Sequence, residues 1–292
     1  LVGSEMCIRD RLYPILFPGQ TYMHLIICTL GIYIIVNSGF DILFGYSGQI
    51  SLGQAGFMLL GPYTYAILTV PVSAKDSVYY LYGGSAVPFS LPDLFGGVDT
   101  PAGLILGVLL AILLGGCVAA LFAWLIGLPV LRLKRDYLAI ATLGFAEIIK
   151  AIFQWQSFGP ITNGSNVLRG YTRLSDFTFN IGGTSVSFAT FVPVFVASMC
   201  ILVIVLLINS SYGRAFKAIR EDEIAAEAMG VRLFKHKQMA FCISCFFAGV
   251  GGALLAQNVD AELLRKLFGG FLVLVGLSEI ILKGLKQSKP DG

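Results

Sequence analysis

"GRAFKAIREDEIAAEAMGV", residues 213–231, places seven charged side chains in nineteen positions. The chain around it is the opposite: of 292 residues only 13% are charged and 56% are hydrophobic, with a mean hydropathy of +0.81. A soluble domain carries about 25% charged residues. The apolar remainder therefore needs a solvent other than water, and the charged island must lie outside it. We read the chain as an all-α, polytopic transmembrane helical bundle. A net charge of +3 is too small to suggest nucleic acid, and Lys and Arg gather in loops rather than over one face. The six cysteines (Cys7, Cys28, Cys117, Cys200, Cys242 and Cys245) are scattered, five of them in or beside apolar runs, which gives no disulfide framework. Cys242 and Cys245 share one helix face and are expected to pack there.

A span needs about 20 mostly apolar residues. Seven windows qualify: 21–43, 52–70, 101–131, 137–157, 190–209, 239–257 and 266–283. The third exceeds a bilayer's need and predicts tilt; the last is short. The opening "LVGSEMCIRDRL", residues 1–12, lacks the apolar core of a signal peptide. Its "VGSEMCIRDR" resembles a translated sequencing-adapter fragment, so residues 13–292 are taken as a single transmembrane domain. Positive charge sets the orientation. Arg132, Lys134 and Arg135 follow the third span, six Lys and Arg lie within 214–237, and Lys283, Lys286 and Lys289 end the chain. The loop 71–100 holds only Lys75, and the loop 158–189 only Arg169 and Arg173. Residues 213–231 and the C-terminus are thus expected in the cytoplasm. The same count puts the N-terminus outside, as if an upstream helix were lost.

Residues 213–231 divide in two. "SYGRAFKAIR" has helical spacing, with Phe216 and Ile219 on one side and Arg214 and Lys217 on another. Asp222 is placed to cap a second helix, "EIAAEAM", which Gly230 would terminate. Two turns of helix are marginal alone in water, so the alanine-rich piece is expected to pack in a partner's groove. A solvated loop that only fixes topology is the plainer alternative.

Four stretches in order, "GYSGQISLGQAGFMLLGPYTYA" (45–66), "YLAIATLGFAEII" (137–149), "GRAFKAIREDEIAAEAMGV" and "AFCISCFFAGVGGALLA" (240–256), resemble the permeases of bacterial ABC importers for branched-chain amino acids. The resemblance covers residues 21 to 257 and extends to relatives carrying urea or short amides. It implies an EAA-type cytoplasmic coupling loop, with Arg214, Arg220, Glu221, Asp222, Ala225, Ala226, Glu227 and Gly230 contacting an ATPase. It also implies two ABC ATPase subunits, a second homologous permease subunit, a periplasmic substrate-binding protein and residence in the bacterial inner membrane. "PITNGSNVLRG" (160–170) is similar to the family's external turn, on the face a binding protein would meet. The family usually inserts an external loop and a Gly-rich span after the 240–256 stretch. Here "QNVDAELLRKLFGGFLVLVGLSEIILKGL" runs straight into a terminal helix, which predicts an internal deletion or a diverged tail.

Two motifs inside the membrane call for a role. Gln49, Ser51 and Gln54 sit among Gly45, Gly48, Gly53 and Gly56. Polar, broken backbone at membrane depth lines substrate paths in transporters; the alternative is small-residue packing glued by polar side chains. Glu147 falls mid-span with Lys150 one turn on, which marks a path or gate, or an ion pair facing the bundle interior. Thr142 and Gly144 are expected to share a close-packed face with Glu147. No G-x-x-x-x-G-K-[ST] occurs, and His24 and His236 are the only histidines. We expect no catalytic residue, metal or cofactor in the chain, which is a transport subunit and not an enzyme; ATP and Mg would be used by partner ATPases. The competing reading is an ion-coupled secondary transporter using Glu147 and Lys150. A membrane scaffold does not explain the broken segment.

Overall fold

The structure, a computed structural model, describes residues 18–96, 101–132, 135–164, 166, 168, 170–172, 178–181 and 184–258. Helix α1 (Pro18–Asp41) opens on a proline, whose missing N–H costs nothing in a first turn, and unwinds into a π-helical turn, Ile42–Tyr46. After a non-helical stretch, α2 (Gln54–Thr69) begins. Val70 and Pro71 then bend the chain by 119° into α3 (Val72–Val78), since a proline disfavours helix in the residue before it. The short α4 (Leu91–Leu94) precedes α5 (Pro101–Val130), whose 30 residues extend about 45 Å, past the roughly 30 Å of a hydrocarbon core. There follow α6 (Arg135–Gln154), α7 (Gly159–Thr162), a hairpin of β1 (Thr178–Ile181) and β2 (Thr184–Ser187), and α8 (Phe188–Asn209). Helices α9 (Ser211–Glu221) and α10 (Glu223–Ala228) lead into α11 (Leu233–Asn258).

Among the described residues five helical stretches are long and apolar enough to cross a membrane, and the bent pair α2–α3 makes a sixth if counted as one span. The bundle is all-α apart from the hairpin, as expected. The seventh window, 266–283, lies outside the described residues. Helix α11 starts at Leu233 rather than near 239, because Lys235, His236 and Lys237 continue the helix beyond its apolar window.

Helix α11 is the axis of the core and packs on α1, α2 and α5. Small residues set its distance from its neighbours. A Cβ on Gly61 of α2 would strike the carbonyl of Gly249, and one on Gly249 would strike Ala119 and the carbonyl of Gly115 on α5. Lipid gives helices no hydrophobic reason to associate, so close backbone approach of this kind supplies the cohesion. Phe57 and Phe241, both fully buried, meet edge to face at 5.3 Å.

The connection between α2 and α5 is organised around a buried cation. Lys75 Nζ donates to the carbonyls of Val87 and Phe89, each at 2.6 Å. Burial pulls its pKa down, and the nearby Asp93 carboxylate partly offsets that.

Candidate functional site

Residues 48–52, between the π-helical turn and the N-cap of α2, cross part of the bundle outside any helix. Gln49 Nε2 donates to the Lys237 carbonyl at 3.4 Å, Leu52 N to Thr142 Oγ1 at 3.2 Å, and Gln54 Nε2 to Ser244 Oγ at 2.8 Å. At about 1.5 Å per residue, Ser244 lies about 16 Å along α11 from its start and Thr142 about 10 Å along α6. The stretch therefore climbs from one end of the bundle toward mid-depth, and α2 begins there. Such backbone survives within a membrane only where protein or a water-filled cavity satisfies it; here α6 and α11 supply partners. The glycines allow the path. Gly48 takes a left-handed φ of 68°, and a Cβ on Gly53 would overlap the Thr142 carbonyl.

Around the start of α2 the polar inventory is incomplete. Gly53, its N-cap, offers no side chain. Gln49 Oε1, Ser51 Oγ and Gln54 Oε1 are buried without a hydrogen-bond partner. Gln49, Ser51 and Gln54 are thus brought together with Thr142, which was expected beside Gly144 and Glu147, inside a closely packed junction of α2, α6 and α11.

The other expected path residues lie elsewhere, which corrects the shared face inferred for α6. Thr142 is fully buried, whereas Gly144 is exposed and a Cβ there would touch nothing within 4 Å. Residues two apart on a helix point about 200° apart, so the two cannot share a face. Glu147 and Lys150 pair at 3.4 Å with side chains 69% and 53% exposed. The pair faces outward from this chain, not into the bundle interior.

The charged segment folds as its caps dictate. Ser210 Oγ accepts from Tyr212 N at the start of α9. Asp222 Oδ1 accepts from Ile224 N at 2.8 Å and Ala225 N at 3.2 Å at the start of α10. Gly230, at φ 85°, ends it, with Val231 N bonded back to the Ala226 carbonyl at 3.0 Å. Phe216 and Ile219 are fully buried, and Arg214, Lys217, Glu221 and Glu227 point to solvent. Arg214 donates to Ser211 Oγ at 3.0 Å. Ala226 corrects the expected docking face. It is 4% exposed and packs on this chain, whereas Ile224 and Met229 are 81% and 85% exposed, with Ala225 and Glu227 beside them.

Three partners at this end went unrecognised in the sequence. Lys237 Nζ binds Glu223 Oε2 at 2.6 Å. Arg220 Nη1 donates to the Gly45 carbonyl at 2.7 Å. Ser244 holds Gln54. Lys237 and Ser244 stand seven residues apart, on one face of α11, a spacing that signals a polar stripe in an otherwise apolar helix.

Residues 22–281 match the family described as branched-chain amino acid transport system, permease component. The chain belongs to this permease family. As a member with several apolar spans it is a multi-pass membrane protein. It is 32% identical over 249 residues to the high-affinity branched-chain amino acid transport system permease protein LivM of Salmonella typhimurium, covering 78% of this chain and 50% of that one. The Escherichia coli LivM is 31% identical over 248 residues, with the same coverage. A probable branched-chain amino acid transport permease protein LivM of Methanocaldococcus jannaschii is 27% identical over 247 residues, covering 79% of this chain and 66% of its own length. The chain thus spans about half the length of the two enterobacterial relatives. No solved structure matches it.

Proposed function

We propose that this chain is the membrane-spanning subunit of an ATP-driven importer that carries branched-chain amino acids across the bacterial inner membrane by alternating access. The observation that carries the reading is α10. It is a capped helix under two turns long that, with its C-cap, presents Ile224 and Met229 to solvent, uncovered by any of the described residues. Large exposed apolar side chains on a charged surface segment mark a docking site, and a gradient-driven carrier has no use for one. The occupant is one of two ABC ATPase subunits, which would use ATP and Mg, with Arg214, Glu221, Ala225 and Glu227 around the apolar pair. Asp222, Gly230 and Ala226 shape and seat the helix. In this arrangement α9, α10 and the C-terminus face the cytoplasm, and the Lys75 region faces the periplasmic substrate-binding protein.

The path is assigned to the start of α2 and the outward face of α6. An ion pair such as Glu147–Lys150 is costly against lipid, so this face meets protein or water in the assembly. A second homologous permease subunit on that face would cover Gly144, Glu147 and Lys150, on the side of α6 opposite the polar groups of Gln49, Ser51 and Gln54. Opening the tight Gly53–Thr142 junction would expose those groups, and closing it would hide them.

Substrate choice is tested by competition. The complex reconstituted in liposomes, with its binding protein outside and ATP inside, should take up labelled leucine, and excess isoleucine or valine should suppress uptake. Suppression by urea or acetamide instead would move the chain to the urea and short-amide branch.

A further inference from the structure

The coupling segment and the broken segment touch each other directly. Arg220, in the last turn of α9, reaches the Gly45 carbonyl at 2.7 Å, and its stem lies 3.2 Å from where a Cβ on Gly48 would sit. Lys217 places its ammonium 5.8 Å from the centre of the Tyr46 ring. One residue into α10, Glu223 holds Lys237 at 2.6 Å, and the carbonyl of that same Lys237 accepts from Gln49. Two ties thus run from the charged segment to residues 45–49, one through Arg220 and one through Glu223 and Lys237.

These ties end on a part of the chain outside any continuous α-helix. The π-helical turn 42–46 and the left-handed Gly48 lack the regular hydrogen bonding that stiffens a helix, and π-turns inside helices recur at functional sites. Residues 45–49 continue directly into Ser51 and Gln54 at the start of α2. Displacement of α9 and α10 is therefore delivered to the polar junction through about five residues of backbone.

Resting on the importer reading above, we propose that Arg220 and the Glu223–Lys237 pair are positioning residues that transmit movement of the docked coupling helix to the broken segment 45–54. Arg220 serves the segment through a charge-assisted bond to a main-chain carbonyl, which fixes backbone position irrespective of side chain at 45. Lys237 serves it through α11, which carries Ser244 against Gln54.

The test uses the full chain assembled with its ATPases and second permease subunit in nanodiscs. A reporter cysteine replaces the exposed Ile50, with Cys7 and Cys117 changed to serine. The labelling rate of Cys at 50 by a water-soluble maleimide is compared without nucleotide and with ATP plus vanadate. The parent should show a nucleotide-dependent rate. Arg220→Ala should erase that dependence and lower leucine uptake by about tenfold or more, as loss of a charged hydrogen bond implies. Glu223→Lys should do the same, and Glu223→Lys with Lys237→Glu should restore the response; this swap decides the matter if Arg220→Ala fails to assemble. A response that survives Arg220→Ala, or that the charge swap does not restore, overturns the transmission role. Failure of the parent to hold ATPases, or uptake independent of ATP, instead overturns the importer reading on which it rests.

Discussion

Gly53→Ala and Gly144→Ala add the same methyl group to residues that lie close together in the fold, and the structure predicts opposite outcomes. Gly53 has an ordinary φ of −86°, so alanine meets no backbone strain there. Its Cβ would nevertheless overlap the carbonyl carbon and oxygen of Thr142, and main-chain atoms inside α6 cannot rotate away. The start of α2 must then retreat from α6, which stretches the Leu52 N to Thr142 Oγ1 bond. Overpacking of this kind costs about 1–3 kcal/mol, and a weakened buried hydrogen bond adds about 1 kcal/mol. At Gly144 nothing stands within 4 Å, and replacing a mid-helix glycine by alanine gains up to about 1 kcal/mol. The pair should therefore separate by about 2–5 kcal/mol in unfolding of the purified full chain in mixed detergent micelles, titrated with sodium dodecyl sulfate. Equal midpoints for the two variants would refute the packed junction at Thr142.

Other consequences are as specific. Ile224→Asp and Met229→Asp, at side chains more than four-fifths exposed, should leave the chain's own unfolding midpoint unchanged while co-purification of ATPase subunits is lost; retained co-purification argues against α10 as the dock. Asp222→Ala removes both bonds to the start of α10 and should cost about 1 kcal/mol of local stability, read as faster amide exchange across 223–228 than in the parent. Because burial lowers the Lys75 pKa, the unfolded chain binds more protons than the folded one between that lowered value and 10.5. Stability should then rise with pH across that window, and Lys75→Met should abolish the rise; parallel pH profiles for both proteins would contradict it.

Much of this was legible in the sequence for simple physical reasons. Apolar runs of membrane length dictate helices, because lipid satisfies no free backbone groups. Asp222 and Gly230 act through their immediate neighbours, so the bounds of α10 could be read from a few letters. The polar cluster at 49–54 stood out against apolar flanks, and it is where the chain breaks. What local letters do not carry is rotation about a helix axis. Thr142 and Glu147 fall within one apolar window, yet one is buried against Gly53 and the other turns outward. Ala226 and Ala225 are adjacent and chemically identical, and only the tilt of α10 on α11 decides which is covered. The ties from Arg220 to Gly45 and from Glu223 to Lys237 join residues 175 and 14 positions apart. Arg220 could have met any of several carboxylates or carbonyls, and Glu223 any of several cations, and folding chose among them.

If α10 receives the energy that drives transport through the bundle, leucine uptake into liposomes holding the complete complex, with ATP inside, must differ between the parent and Ile224→Asp. Uptake should require ATP, persist when ionophores collapse all ion gradients, and disappear in Ile224→Asp. Uptake that follows an imposed proton or sodium gradient without ATP, and is untouched by Ile224→Asp, would contradict it.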